Sequence, residues 1–286
     1  MLDDLSRKID EYIESMPSLP TSVGKVMEVC NNPHVSPADL NHVISLDPVL
    51  VGRVLKLINS AYYGLGQQVT SLVRAIIMLG INTIKNLALS TAVMRNLPVN
   101  RGLNGMDMEG FWRHSLCVGV AAKLLAIRRG IDSKNLEEYF TAGLLHDIGK
   151  IPMNAVLSDQ YMLTISAADH DRIPLFRAEE EKLGITHCGA GAAIVKAWTL
   201  SGPVGEVITH HHNYAGYSGG HQDILYSVAA ANHFASAMEI GFSGDRYPEK
   251  TPACLWDYLK VDEETFTGIK KTVNNEIETA KVFLKV

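Results

Sequence analysis

Two helix starts, eleven residues apart, constrain this chain most: Ser36-Pro37-Ala38-Asp39 and Asp47-Pro48. In the first, a serine that can cap precedes a proline suited to the first helical position and an acid suited to the first turn. The second repeats the device, and its helix would turn Leu50, Val54, Leu57 and Ile58 inward and end near Ser60–Gly64. Ser71 opens another run, with Leu72, Ala75, Ile76 and Leu79 on one face and Gly80 as its stop. Residues 2–13 place Leu2, Leu5, Ile9, Tyr12 and Ile13 mostly at steps of three and four, the period of one helical face. Further helices fit 82–95, 108–129, 136–146, 187–199, 203–212 and 223–239, with an amphipathic, half-solvated helix in the tail. No alternating run long enough for a strand occurs, so the expected fold class is all-α. The stretch 97–106 (LPVNRGLNGM) breaks the periodicity and divides a lobe at 1–97 from a second at 105–286. Residues 215–220 and 241–252 read as loops.

Length and composition set the class. A chain of 286 residues with 47% hydrophobic and 20% charged residues is globular and large enough to bury a core without covalent staples. Cys30, Cys117, Cys188 and Cys254 are far apart and form no CxxC pair, so reduced thiols are expected. The N-terminus lacks the basic start and apolar stretch of a secretory signal. No uncharged apolar run reaches the ~20 residues that span a bilayer. A cytoplasmic location without membrane contact follows as the expectation. Net charge is −5, and residues 1–97 carry eight Lys or Arg against eight Asp or Glu. Neither balance offers the basic face that DNA readers need, so specific DNA binding is not expected, despite a helix-turn-helix-like glycine at Gly80.

The histidines carry the chemistry. Seven of the eleven fall within 114–212. His170, flanked by Asp169, Asp171 and Arg172, reads as a solvated loop residue. The sharpest feature is Leu145-His146-Asp147-Ile148-Gly149-Lys150. Adjacent helical side chains diverge by about 100°, so His146 and Asp147 can share one ion only in a crevice against their helix, with further ligands from other helices. Gly149 would allow close backbone approach, and Lys150 would bring a positive charge able to hold a phosphate. His114, His187, His210 and His211 sit on other predicted helices and could complete the set. Imidazole with carboxylate suits iron or manganese first, with zinc as runner-up. Cys117 and Cys188 lie beside proposed ligands and could be soft ligands, but small buried thiols are far commoner. Trp112, Trp198 and Trp256 read as packing anchors.

These residues resemble the HD superfamily, and most closely its HDOD branch, the HD-related output domains of bacterial signalling. In the first lobe the resemblance rests on Leu19-Pro20, Asp47-Pro48, Asn59-Ser60-Ala61 with Tyr63, and Ala75-Ile76 followed by Leu79-Gly80. It covers roughly 15–240 and implies an HD-like helical bundle with an N-terminal helical lobe. HDOD proteins commonly lack much of the metal set and are regarded as non-catalytic. Here His146-Asp147-Ile148-Gly149-Lys150 resembles the HDxGK motif of HD-GYP phosphodiesterases. By the same resemblance His114 matches the upstream ligand, His187 the following one, and His210 with His211 the paired histidines, with His211–His212 as an alternative register.

Three departures qualify that resemblance. Gly110 stands where trinuclear members carry a glutamate, which limits the expected metals to one or two. The GYP tripeptide is absent from the loop after the histidines. Asn232 replaces the last metal aspartate. The resemblance therefore implies a signalling output module with a His/Asp metal site of His114, His146, Asp147, His187, His210 and His211, acting through an unidentified signalling partner. The competing expectation is a metal-dependent phosphohydrolase, in which Lys150 would hold a phosphate-containing ligand.

Overall fold

The computed structural model describes residues 2–97, 106–250 and 253–285. All regular elements among the described residues are helical. Before the break lie α1 (Leu2–Ser15), α2 (Thr21–Cys30), α3 (Pro37–Ser45), α4 (Pro48–Ile58), α5 (Leu72–Leu79) and α6 (Ile81–Asn96). After it lie α7 (Met108–Arg128), α8 (Leu136–Leu145), α9 (Lys150–Asp171), α10 (Leu175–Leu183), α11 (His187–Ala197), α12 (Pro203–His210), α13 (Gln222–Ala237), α14 (Ala253–Leu259) and α15 (Glu263–Ala280). Most of the break expected at 97–106 lies outside the described residues.

The helix starts form as their sequence dictates. The Ser36 hydroxyl accepts the Asp39 N–H at 3.2 Å while the Asp39 carboxylate accepts the Ser36 N–H at 2.9 Å, a reciprocal capping box. Asp47 accepts the Leu50 N–H at 3.0 Å and the Ser22 hydroxyl at 2.8 Å, tying α4 to α2. Ser71 caps α5 through the Arg74 N–H. Four helices lie where the sequence pattern places none: α2, α9, α10 and α14. The longest, α9, departs from helical geometry at Leu157 and is buried on several sides, so its apolar residues do not collect on one stripe. His170 stands in its last turn, exposed as expected but helical.

One continuous apolar core runs through the helices on both sides of the break, from Leu5 and Ile9 on α1 to Phe283. Helix α6 packs on α8, and α1 on α9 and α11. The tail closes the assembly. Ile269, Val273 and Ile277 on α15 are buried, and the Phe283 ring lies 5.3 Å from Tyr62 and 4.7 Å from Phe140. Helices α7 and α8 cross with nothing between their backbones: a Cβ on Gly143 would stand 2.7 Å from the Gly119 Cα. That approach brings His114 on α7 toward the end of α8, where His146 and Asp147 follow. No single helix among the described residues is long and apolar enough to cross a membrane; α5 and α6 pass such a test only as a pair bent by 117°.

Candidate metal centre

Asp147 is the centre of the site. It lies fully buried in the turn that joins α8 to α9, so His146 and Asp147 project from a turn and not from mid-helix. Its two oxygens face different groups. Oδ2 lies 2.7 Å from Lys150 Nζ, 3.3 Å from His146 Nε2 and 3.9 Å from His114 Nε2. Oδ1 lies 3.4 Å from His187 Nε2 and 3.5 Å from His211 Nε2. The turn fits because Gly149 has no side chain. A Cβ there would overlap the His187 carbonyl and stand 2.6 Å from the Gly191 N, which fulfils the close approach expected of Gly149.

The histidine tautomers follow from their outer nitrogens. His146 Nδ1 donates to the Gly143 carbonyl at 2.7 Å, and His211 Nδ1 to the Val207 carbonyl at 3.0 Å. His187 Nδ1 donates to Glu179 Oε2 at 2.7 Å. Each inner Nε2 therefore turns a lone pair toward Asp147, the arrangement found around metals whose ligands are oriented by an outer hydrogen bond. His187 Nε2 and His211 Nε2 stand 3.2 Å apart, two acceptors facing one another across Asp147 Oδ1. Only a proton or a metal cation between them reconciles that geometry. Asp147 Oδ1 and His146 Nε2 are buried without a hydrogen-bond partner, a cost that a bound cation removes. The donor set thus fits a metal ion.

Without a cation, the electrostatics divide the set into neutral and protonated imidazoles. Burial favours the neutral imidazole and pushes His114 down to about 3. Burial likewise lowers His146. At His187 burial is overcome by the Glu179 carboxylate, and at His211 by the Cys188 thiol and Asp147, so both are raised. Burial opposes ionisation of Asp147, yet the surrounding His146 and Lys150 hold its carboxyl well below the usual range. Burial also works against the Cys188 thiolate, but His211 and His187 bring it down to about 6.

Of the six residues expected as ligands, five converge: His114, His146, Asp147, His187 and His211. His210 does not. Its half-exposed ring lies 3.7 Å from Glu206 Oε2 and 5.5 Å from the Tyr217 ring. The reason is legible in the helix. The buried stripe Val204, Val207 and Ile208 on α12 continues at 211, not at 210. His212 stands nearer the cluster, stacked on Phe176 at 4.5 Å with its ring 5.0 Å from His187, so the alternative pairing of His211 with His212 is the one these positions favour. Cys188 Sγ lies 3.7 Å from His211 Nδ1 and 3.9 Å from its Nε2.

Sequence reasoning passed over three supporting groups. Glu179 on α10 is fully buried and accepts from the His187 N–H at 2.9 Å, from His187 Nδ1 and from the Tyr161 hydroxyl at 2.8 Å. In the string AEEEK it is indistinguishable from a solvated acid. Ser243 accepts from Lys150 Nζ at 3.2 Å, and buried Asp245 accepts the Leu175 N–H at 3.4 Å. Both come from the stretch read as a plain loop, which folds over the site. Gly110, noted only for the ligand it lacks, accepts the Phe242 N–H of that loop at 2.9 Å.

An all-helical bundle with a buried carboxylate ringed by imidazoles from four separate segments defines an HD-type protein. The chain matches the HDOD domain over residues 16–214 and belongs to that family. It is similar to an HDOD domain protein of unknown function from Geobacter sulfurreducens, with 25% identity, TM-score 0.76, and 98% of this chain and 96% of that one covered. A proposed phosphohydrolase from Shewanella amazonensis SB2B is 26% identical at TM-score 0.69, covering 98% and 97%. An uncharacterized protein of Treponema pallidum (strain Nichols) is 26% identical over 261 residues, 91% of this chain and 49% of its own length. The chain thus spans about half of that curated relative.

Proposed function

We propose that this HDOD chain is a regulatory module of signal transduction that acts on a partner signalling protein, holds one divalent metal ion in a buried pocket, and has no efficient hydrolase activity. One observation carries the reading. The groups a second ion would need are already engaged: Lys150 Nζ sits 2.7 Å from Asp147 Oδ2, and the Asn232 amide oxygen lies 2.9 Å from His114 Nε2. Whichever way that amide lies, it occupies the His114 lone pair or requires its proton. An asparagine also contributes no charge to offset a second cation. What remains open is the other half, where Asp147 Oδ1, His187 and His211 would hold a single ion, with His146 Nε2 adjoining. A metal there would supply a Lewis acid and would stabilise the folded arrangement.

The neutral first lobe and the net charge of −5 favour a protein partner over DNA. A second reading, metal-dependent phosphohydrolase, draws on the Shewanella relative's description and on Lys150 with Ser243, which could grip a phosphate. Elemental analysis of the purified protein together with a panel of phosphodiesters, cyclic di-GMP included, separates the two. One ion per chain and no turnover support the regulatory reading, and no ion removes its metal site. Two ions per chain, or turnover of about 1 per second or more, overturn it.

A further inference from the structure

We propose that Cys188 is a ligand of that ion, its thiolate closing a set with His187, His211 and Asp147 and directing the pocket to zinc in preference to manganese. The inference rests on the metal reading above and adds to it the fourth ligand and the class of metal.

The geometry is that of a small coordination shell. His187, Cys188 and His211 offer ligand atoms that all lie within 4.8 Å of one another. Around the Nε2 of His211 the neighbours are His187 Nε2 at 3.2 Å, Asp147 Oδ1 at 3.5 Å and Cys188 Sγ at 3.9 Å. The remaining nitrogen–oxygen edge, His187 Nε2 to Asp147 Oδ1, is 3.4 Å. Bonds of about 2.0–2.3 Å to zinc at tetrahedral angles give edges of about 3.3–3.6 Å. The three edges among His187, His211 and Asp147 already match these within a few tenths of an ångström, while Cys188 Sγ, 3.7 Å from His211 Nδ1 and 3.9 Å from its Nε2, would turn toward the Nε2 side to join them. Asp147 Oδ1, fully buried and without a hydrogen-bond partner, points into the same space. The cysteine therefore stands beside a histidine pair that converges on an uncompensated carboxylate oxygen.

The local fold explains how neighbours on one helix both reach the ion. Thr186 caps α11 by accepting the Gly189 N–H at 3.2 Å, so His187 and Cys188 are its first two residues. There the pocket lies off the helix end, between α11 and the turn after α12, and two successive side chains can reach it. Glu179 fixes the His187 ring from behind. A thiolate in the set changes the preferred ion. Carboxylate with imidazole alone suits manganese or iron, whereas soft sulfur selects zinc.

Cobalt(II) loading of the chelator-stripped full chain under anaerobic conditions tests this directly. Wild-type protein should show visible d–d absorption together with a near-ultraviolet sulfur-to-cobalt charge-transfer band. The Cys188→Ser variant should keep the visible bands and lose the charge-transfer band, while Cys30→Ser keeps both. Visible bands without the sulfur band in the wild type overturn the Cys188 assignment and leave the metal reading standing. Absence of any cobalt binding removes both. Should Cys188→Ser fail to fold, alkylation of the wild type followed by peptide mass analysis replaces it. Zinc should abolish labelling of Cys188 where manganese at equal concentration does not, and equal labelling with and without zinc refutes the assignment.

Discussion

Glu179 offers the most exacting test of how the site is held. Its carboxylate accepts three hydrogen bonds, from the Tyr161 hydroxyl, the His187 backbone N–H and His187 Nδ1, at 2.8, 2.9 and 2.7 Å. All three groups are buried, so Glu179→Ala leaves three donors without an acceptor. Each such orphan costs about 1–3 kcal/mol, and removing one partner from a buried charged pair costs about 3–5 kcal/mol. Some water entering the vacated space brings the expectation to about 3–4 kcal/mol, a large share of the roughly 5–15 kcal/mol typical of a folded protein. At roughly 2–4 °C per kcal/mol, the melting temperature should fall by about 6–16 °C. Glu179→Gln keeps the shape but presents an amide N–H₂ where an acceptor is needed, and should fall between Ala and wild type. Metal affinity should weaken in the same order, by about 10–100-fold for Ala, because the His187 ring loses the bond that orients it. Circular dichroism melts and competition titration with a zinc indicator measure both. A Glu179→Ala protein that melts within 1–2 °C of wild type (~0.5 kcal/mol) and binds metal equally well would refute the assignment of Glu179 as the group that positions His187.

Gly149→Ala should be among the most damaging single-methyl changes in the chain, costing about 4 kcal/mol or more, because the Cβ meets backbone atoms of α11 that cannot yield; a soluble variant with wild-type melting would contradict the packing described. His210→Ala should change metal content and melting temperature little, whereas His211→Ala should lose metal, as elemental analysis of the two variants reads. Asp47→Ala removes the cap of α4 and should cost about 1 kcal/mol at neutral pH in urea melts. The hydrogen bond from the Leu50 N–H, with that from Ser22, lowers the Asp47 carboxyl below its ordinary value. Its contribution is therefore present above about pH 4 and lost as pH falls through the lowered folded value. The gap between wild type and variant should narrow in acid, and a gap that widens there would refute the sign.

What the sequence determined by itself was local: helix starts at Ser36, Asp47 and Ser71, the stripe of α4, the lack of strand periodicity, and the residues of the His-Asp motif with the glycine that lets it approach α11. Capping and periodicity depend on neighbours within four residues, so they survive without the fold. The tertiary structure decided what depends on distance through space. It turned His211 inward and His210 outward, a difference of one position set by which face of α12 meets the core. It also buried Glu179, which in sequence is one acid among several, behind His187. Finally, Lys150 and Asn232 engage one half of the site while the other faces Cys188. The last two do not follow from spacing along the chain, because a buried polar group acquires its role from the partners that desolvation forces on it.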